Sequence, residues 1–263
     1  MLLTNKVIVV YGAGGAVGSA VARAFAKEGA RVFATGHHLA PVERIVQEIV
    51  ADGGTAEPAQ VDALDEKGVE QHLDRLVNKT GKVDVSFNAI GIPQQGIQGI
   101  PLAELSVDSF ALPVTTYAKS QFITARAAAR RMSGQRSGVI LMHTPEPARL
   151  GIALVGGMGP AWAAMEGLSR GLSAELASRG VRSVVLRTTG MPETPTIDVV
   201  FDLHAKAAGM TRQQFQSLIE STTHRRQSTT LAELADVAAF VASDRASAIT
   251  GTVANLTGGA IVD

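Results

Sequence analysis

Short apolar segments alternate along the chain with segments whose apolar residues recur every three or four positions. The first pair shows the pattern: Lys6–Tyr11 is a largely β-branched run, and a helical spacing of apolar residues then continues from Val17 to Phe25, before Gly29. A continuous apolar run indicates a strand buried on both faces, whereas recurrence at helical spacing indicates an amphipathic helix. The same alternation continues to the end of the chain.

This pattern predicts seven strands separated by helices. The predicted strands are Lys6–Tyr11, Arg31–Thr35, Ala56–Val61, Val83–Asn88, Val139–His143, Val181–Leu186 and Thr252–Leu256. Later helices are predicted from Pro41 onward, around Val69–Val77, and over Phe110–Met132, Trp162–Ser178 and Leu231–Ala242, with Pro113 marking a first turn or a kink. Apolar strands in strict alternation with helices predict a doubly wound Rossmann-type α/β fold, in which a seven-stranded parallel sheet carries helices on both faces.

One segment interrupts the alternation, between the sixth strand and the last helix. This segment, Met191–Thr229, contains helical stretches of its own, and Thr211 with Gln214 has the spacing of a capping box. An insertion beyond the carboxyl end of a strand is where a lid over a crevice would lie. Since no linker or repeat is visible, we interpret residues 1–263 as one domain with a lid-like insertion at 191–229.

Composition narrows the classes of function. Lys+Arg and Asp+Glu both number 24, so the chain lacks the cationic excess that non-specific nucleic-acid binding needs. The absence of cysteine excludes disulfides, thiolate catalysis and Cys-based zinc sites, and no metal site is predicted. The N-terminal segment lacks a signal-peptide pattern and the uncharged stretches are short for a membrane span, so we expect a cytoplasmic protein without nucleic-acid or membrane partners.

A glycine-rich turn joins the first strand to the first helix. Glycine stands at positions 12, 14, 15 and 18 of this turn. Dinucleotide binding requires a tight turn, close approach of the backbone to a diphosphate, and free N–H groups at a helix N-terminus. An ordinary glycine turn is the competing interpretation, but the position between a clear strand and a clear helix favours dinucleotide binding.

With this turn, the sequence resembles the short-chain dehydrogenase/reductase family over essentially its whole length. Tyr11–Gly18 is similar to the family's Thr-Gly-x-x-x-Gly-x-Gly, Asp62 matches the acidic residue near the adenine ring, and Asn88–Gly91 is similar to Asn-Asn-Ala-Gly. The segments 167–176 and 249–259 resemble the family's later helix and C-terminal strand. The resemblance implies a nicotinamide dinucleotide bound by Gly12, Gly14, Gly15, Ala16, Val17, Gly18, His37, His38, Asp62, Asn88, Ala89 and Gly91.

The end of the second strand bears on the choice between NADP and NAD. Gly36 stands where NAD-dependent members of the family present a carboxylate, and His37 stands where NADP-dependent members often carry arginine. The missing carboxylate slightly favours NADP, although histidines with a reference pKa near ~6.5 are mostly uncharged at neutral pH. The alternative that His37 and His38 are merely exposed loop residues stays open.

The catalytic set that the resemblance implies is asparagine, serine, tyrosine and lysine, and all four positions carry other residues. Tyr117 stands at the asparagine, Pro145 at the serine, Met158 at the tyrosine and Trp162 at the lysine. Methionine has no titratable proton, and tryptophan supplies no cation. We therefore predict an NAD(P)-binding oxidoreductase with divergent or absent hydride-transfer activity. The alternative is a non-catalytic nucleotide-sensing or scaffold protein on the same fold.

Several nearby groups are candidates for a substitute role. The candidate catalytic residues are Tyr117, Thr144 and His143, with Glu193 in the loop that lies beside the nicotinamide in this family. Arg149, in the loop that faces the substrate, is a candidate for receiving an anionic substrate, and pairing with Glu146 is an alternative. Core packing is the simpler interpretation of Tyr117 and His143, and solvent exposure is the simpler one for the two loop residues.

Two apolar features complete the sequence-based expectations. Met158, Trp162 and Met165 form an apolar wall, either of a ligand pocket or against the lid. The resemblance implies a homodimer or homotetramer, paired through the helices at Phe110–Met132 and Ala161–Leu176. The sequence does not identify the substrate.

Overall fold

The computed structural model describes residues 1–262. Its seven-stranded sheet has the order β3-β2-β1-β4-β5-β6-β7, and every neighbouring pair of strands is parallel. The chain first builds the sheet outward through β2 and β3 and then returns to the other side of β1, so the order reverses between β1 and β4. In such sheets a crevice forms at this reversal, beyond the carboxyl ends of the strands. The strands are β1 (Val7–Tyr11), β2 (Arg31–Gly36), β3 (Thr55–Gln60), β4 (Val85–Asn88), β5 (Gly138–Pro145), β6 (Val181–Thr188) and β7 (Thr252–Leu256).

Helices cover both faces of the sheet, which confirms the predicted doubly wound Rossmann-type fold. They are α1 (Ala16–Lys27), α2 (Leu39–Ala51), α3 (Glu66–Thr80), α4 (Val107–Gln135), α5 (Met158–Leu176), α6 (Pro195–Ala207), α7 (Arg212–Ser221) and α8 (Leu231–Ala242). Successive strand residues point to opposite faces. Ile8 and Val10 therefore join the apolar cluster beneath α1, α2 and α8, whereas Val7 and Val9 join the cluster beneath α3, α4 and α5.

The two strands that lead to the candidate site are longer than the sequence predicts. The prediction ended β5 at His143 and β6 at Leu186, but the paired register continues to Pro145 opposite Thr188. Proline is compatible with an extended backbone, but it donates no ladder hydrogen bond. The predicted end at His143 was therefore wrong by two residues, and the extension carries the chain further over the crevice.

Three helices begin earlier than predicted. α2 begins at Leu39, so Pro41 lies within its first turn, where the amide has no helical partner and proline is tolerated. α4 begins at Val107, because the Ser106 side chain accepts a hydrogen bond from the Ser109 amide at 3.1 Å and caps the helix, which then runs through Pro113. α5 begins at Met158, four residues before the predicted start.

The segment 191–229 folds into α6 and α7. Thr211 and Gln214 form the predicted capping box at the start of α7. Both helices contribute side chains to the cavity described below. Over residues 1–262, no helix combines the length and the apolar character that crossing a membrane requires.

Candidate functional site

Two glycines of the turn between β1 and α1 lie so close to backbone atoms that neither position has room for a side chain. Gly12 has φ +73°, and a Cβ on it would lie 2.8 Å from the carbonyl carbon of Ala89. A Cβ on Gly18 would lie 2.8 Å from the carbonyl carbon of Gly12 and nearer still to its oxygen. Gly15 precedes α1 without a side-chain cap, so the first amides of the helix are open to an anionic group. This cradle fits the diphosphate of a dinucleotide.

A cavity of about 240 Å³ extends from this turn to α6 and α7. It brings together most of the predicted site residues near the reversal of the sheet. Those that line it are Gly15, Ala16, Val17, Asn88, Ala89, Gly91, Tyr117 and His143. Asn88 is held in place there, since its Nδ2 donates to Thr124 Oγ1 at 3.0 Å and its Oδ1 accepts from the Ile90 amide at 3.1 Å.

The remaining predicted cofactor residues lie outside the lining of this cavity. Gly12, Gly14 and Gly18 belong to the same turn. His37 and His38 follow β2 as exposed residues whose rings are 4.6 Å apart, centre to centre. Asp62 follows β3, and its Oδ1 accepts from the Leu64 amide at 2.9 Å.

The three residues that the family resemblance aligns with serine, tyrosine and lysine all line the cavity. Pro145, Met158 and Trp162 line it together with Met165. Met158 and Trp162 are buried, at 1% and 9% exposure. The cavity wall is therefore apolar at these three positions.

Tyr117 and His143 reach the cavity but are poor sources of protons at neutral pH. Burial raises the pKa of Tyr117 to about 12, although the backbone amide of Ile92 partly opposes the shift. Burial also lowers the pKa of His143 to about 4, so its imidazole is neutral at pH 7. The His143 Nε2 atom lies 2.9 Å from Thr188 Oγ1, which fixes the orientation of the ring.

Thr144, the third candidate, does not line the cavity, contrary to expectation. It follows His143 on β5, so its side chain points to the other face of the sheet. Its hydroxyl donates to Glu166 Oε1 at 3.1 Å. Glu166 in turn accepts from Arg187 Nε at 2.9 Å and from an Arg187 terminal nitrogen at 2.7 Å, which makes a buried ion pair.

The two loop candidates also lie outside the cavity lining. Glu193 accepts a hydrogen bond from the Leu231 amide at the start of α8. Arg149 is exposed and lines a separate polar pocket together with Arg170 and Arg187. Neither residue is therefore positioned to act on a molecule inside the cavity.

The sequence analysis missed Glu146, which directly follows β5. This residue is 7% exposed and lines the cavity. Its Oε2 atom is buried and has no hydrogen-bond partner within residues 1–262. Burial raises the pKa of its carboxyl to about 7. An acid immediately after Pro145, the serine position, was the available signal in the sequence.

A second missed feature is a chain of polar side chains that connects the loop after β4 to α6. The His204 Nε2 atom lies 3.0 Å from Gln98 Oε1, Gln98 Nε2 donates to Gln94 Oε1 at 2.6 Å, and Gln94 Nε2 donates to the Ile92 carbonyl at 2.6 Å. Gln94, Gln98 and His204 all line the cavity. No sequence spacing indicates this contact, because His204 and Gln98 are 106 positions apart.

Sequence comparison relates the chain to known oxidoreductases. A family model described as enoyl-(acyl carrier protein) reductase matches residues 12–260. L-rhamnose 1-dehydrogenase (NAD(P)(+)) from Azotobacter vinelandii is 31% identical, covering 100% of this chain and 99% of its own. An uncharacterized oxidoreductase from Bacillus subtilis is 29% identical, covering 98% and 91%.

The fold also matches solved structures over nearly the whole chain. The crystal structure of NAD⁺-bound xylitol dehydrogenase superimposes with a TM-score of 0.92 at 24% identity, covering 98% of this chain and 100% of that one. At this identity the similarity shows the fold alone. Together with the family model and the relatives that match along their whole length, the glycine turn and the seven-stranded sheet show that the chain belongs to the short-chain dehydrogenase/reductase family of oxidoreductases.

Proposed function

We propose that the chain binds NAD(P) and transfers hydride by a divergent route, without the family's tyrosine–lysine relay. The observation that carries this proposal is the cavity, which joins the glycine turn to a largely apolar space at the reversal of the sheet. The relative from Azotobacter vinelandii is named for its use of NAD(P)⁺, which supports the choice of cofactor. The glycine in place of a carboxylate at the end of β2 slightly favours NADP over NAD.

The residues proposed to hold the cofactor follow from its chemistry. The turn Gly12–Gly18 and the N-terminus of α1 would hold the diphosphate, and Asn88–Gly91 would lie beside the next part of the molecule. His37, His38 and Asp62 are proposed for the adenosine end, at the ends of β2 and β3. When bound, the nicotinamide supplies or accepts a hydride.

The lining of the cavity supports an uncharged and largely apolar carbonyl compound or alcohol as substrate. Besides the methionines and Trp162, the cavity is lined by Ile197, Phe201 and Phe215 of α6 and α7. No lysine or arginine lines it over residues 1–262, so a carboxylate or phosphate on the substrate would find no counter-ion. Gln98 and His204 offer hydrogen bonds to a single polar group.

A non-catalytic nucleotide sensor is the second candidate function. It is favoured by Pro145, Met158 and Trp162, because none of these side chains supplies a proton or a cation at neutral pH. The two candidates agree on cofactor binding and differ on turnover.

Calorimetry with NADP(H) and NAD(H), followed by turnover on a panel of uncharged carbonyl compounds and alcohols, separates the candidates. We expect micromolar or tighter cofactor binding and slow turnover of apolar members of the panel. Binding without turnover of any member would favour the sensor. Neither binding nor turnover would overturn both.

A further inference from the structure

Four titratable side chains line the cavity within residues 1–262: Tyr117, His143, Glu146 and His204. The hydroxyl of Tyr117 lies by the amide of Ile92, and its high pKa leaves the phenol protonated far above neutrality. His143 contacts Thr188, His204 contacts Gln98, and burial lowers the pKa of both imidazoles. A neutral imidazole is a weak acid, and one whose pKa is lowered is also a weak base.

Glu146 differs from the other three in that its buried Oε2 atom has no hydrogen-bond partner within residues 1–262. We propose that the Glu146 carboxyl is the proton donor and acceptor of this site, in the place of the family's tyrosine; this inference rests on the proposed oxidoreductase function. The carboxyl lines the cavity next to Pro145, and its buried Oε2 atom forms no hydrogen bond within the described chain.

The backbone holds Glu146 firmly at this point. Glu146 begins a short 3₁₀ turn, Glu146–Ala148, directly at the end of β5. The amides of Arg149 and Leu150 both donate to the Glu146 carbonyl at 3.0 Å. A fixed backbone restricts where the carboxyl can lie, which favours a defined proton position over a mobile surface acid.

The surroundings of Glu146 keep its proton available at neutral pH. Within residues 1–262 no lysine or arginine lines the cavity. Burial, which the backbone amide of Glu146 opposes only in part, raises the carboxyl pKa to about 7. At that value both protonation states are populated near neutrality. A general acid–base catalyst is most effective when its pKa lies near the working pH.

The proton step balances in either direction. In reduction, the Glu146 carboxyl gives its proton to the substrate oxygen as the C=O π bond breaks, and the electron pair of that bond forms the new O–H bond. The substrate carbon gains the hydride that the reduced nicotinamide supplies, and the Glu146 carboxylate recovers a proton from water. In oxidation, the Glu146 carboxylate takes the proton of the alcohol, the electron pair of the O–H bond forms the C=O π bond, and the hydride of the substrate carbon would pass to the oxidised nicotinamide.

The first test measures protonation of the Glu146 carboxyl directly. Infrared difference spectra of the cofactor-free protein, recorded against pH, should show the C=O band of a protonated carboxylic acid that disappears as the pH rises through about 7. Glu146→Gln should remove this band, and Glu104→Gln, at an exposed acid, should leave it in place. A spectrum without a carboxyl titrating above pH 6 would overturn the proposal.

The second test measures turnover on a substrate that the panel identifies. Glu146→Gln should lower kcat by about 100-fold or more, since general acid–base catalysis contributes roughly 10²–10⁴-fold, while cofactor Kd stays within about twofold. Glu146→Asp should recover part of the rate. The reduction rate of the wild type should fall as pH rises through about 7, and this dependence should vanish in Glu146→Gln.

The outcomes distinguish a failure of the proposed role of Glu146 from a failure of the proposed oxidoreductase function. A fully active, folded Glu146→Gln would overturn the role of Glu146 and leave the proposed oxidoreductase function intact. A wild type that binds cofactor but turns over no member of the panel would overturn the proposed function, and the role of Glu146 with it. Thermal unfolding of each variant checks that a loss of rate does not come from a loss of fold.

Discussion

Adding one methyl group at Gly18 tests whether the turn between β1 and α1 has the close packing that a dinucleotide site needs. In Gly18→Ala the new Cβ would lie 2.8 Å from the Gly12 carbonyl carbon and 2.9 Å from Ala13 Cα, and nearer still to the Gly12 oxygen. Ordinary contacts of a Cβ begin at 3.4 Å, so the turn must move by about half an ångström or more. All three atoms belong to the backbone, so no side chain can rotate to make room.

The turn has little freedom to yield. Gly12 itself lies close against the peptide of Ala89, where a Cβ would already be 2.8 Å from the carbonyl carbon. Overpacking of this kind costs about 1–3 kcal/mol. Displaced amides at the N-terminus of α1 would also lose hydrogen bonds to the diphosphate, at roughly 1.5–3 kcal/mol each. Losing one or two such bonds weakens the cofactor Kd by about 10-fold to more than 100-fold.

The assay combines urea unfolding with calorimetric titration of NADP(H) and NAD(H). Gly134→Ala is the matched control, because it adds the same methyl group to an exposed position of α4 where no atom lies within 4 Å. We expect wild-type affinity in this control and a slightly higher free energy of unfolding, by about 0.5–1 kcal/mol. A Gly18→Ala variant with wild-type stability and cofactor affinity would refute the reasoning.

Four further predictions follow from the packing of the chain. Glu166→Met leaves the buried Arg187 guanidinium without its carboxylate partner and should lower the free energy of unfolding in urea by about 3–5 kcal/mol. The double variant with Arg187→Leu should lose clearly less stability, and equal losses in the two variants would contradict this prediction. Thr230→Ala removes the capping box of α8 and should cost about 1 kcal/mol, with Thr230→Ser as the control that keeps the cap. Burial lowers the pKa of His143 to about 4, so as the pH falls the imidazole is protonated in the unfolded chain before it is protonated in the folded one. The free energy of unfolding should therefore decrease as the pH falls from about 6.5 through 4. His143→Gln should lessen this decrease, and an unchanged pH dependence in the variant would argue against the reasoning. Sedimentation at micromolar concentration should give a dimer or tetramer, since α4 exposes apolar side chains such as Phe122, and a stable monomer would count against this.

The sequence by itself determined the layers of the fold and the place of the glycine turn between β1 and α1. Both depend on local features: the apolar run of β1, the helical period of α1, and glycines at positions where a neighbouring backbone leaves no room for a side chain. From the resemblance, the sequence also predicts that Pro145, Met158 and Trp162 replace the family's serine, tyrosine and lysine, and this assignment stays a prediction. Their positions were fixed by spacing from predicted elements on either side, and the structure keeps all three at the cavity.

Strand and helix ends were less predictable, because they depend on neighbouring segments. β5 reaches Pro145 since β6 continues beside it to Thr188, and no local pattern in β5 indicates that partner. The same extension decides which way the following residues face. His143 points into the cavity, whereas Thr144 points to Glu166 on α5, 22 positions later.

Only the tertiary structure decided the chemistry of the candidate site. Glu146 looks like an ordinary loop acid in the sequence, with Arg149 three positions later as a possible ion-pair partner. In the fold, that arginine is exposed outside the cavity, while Glu146 is buried and lines the cavity. The contact of His204 with Gln98 joins segments 106 positions apart. The pKa of a carboxyl depends on which groups surround it in space, and for Glu146 those groups come from strands, helices and loops throughout the chain.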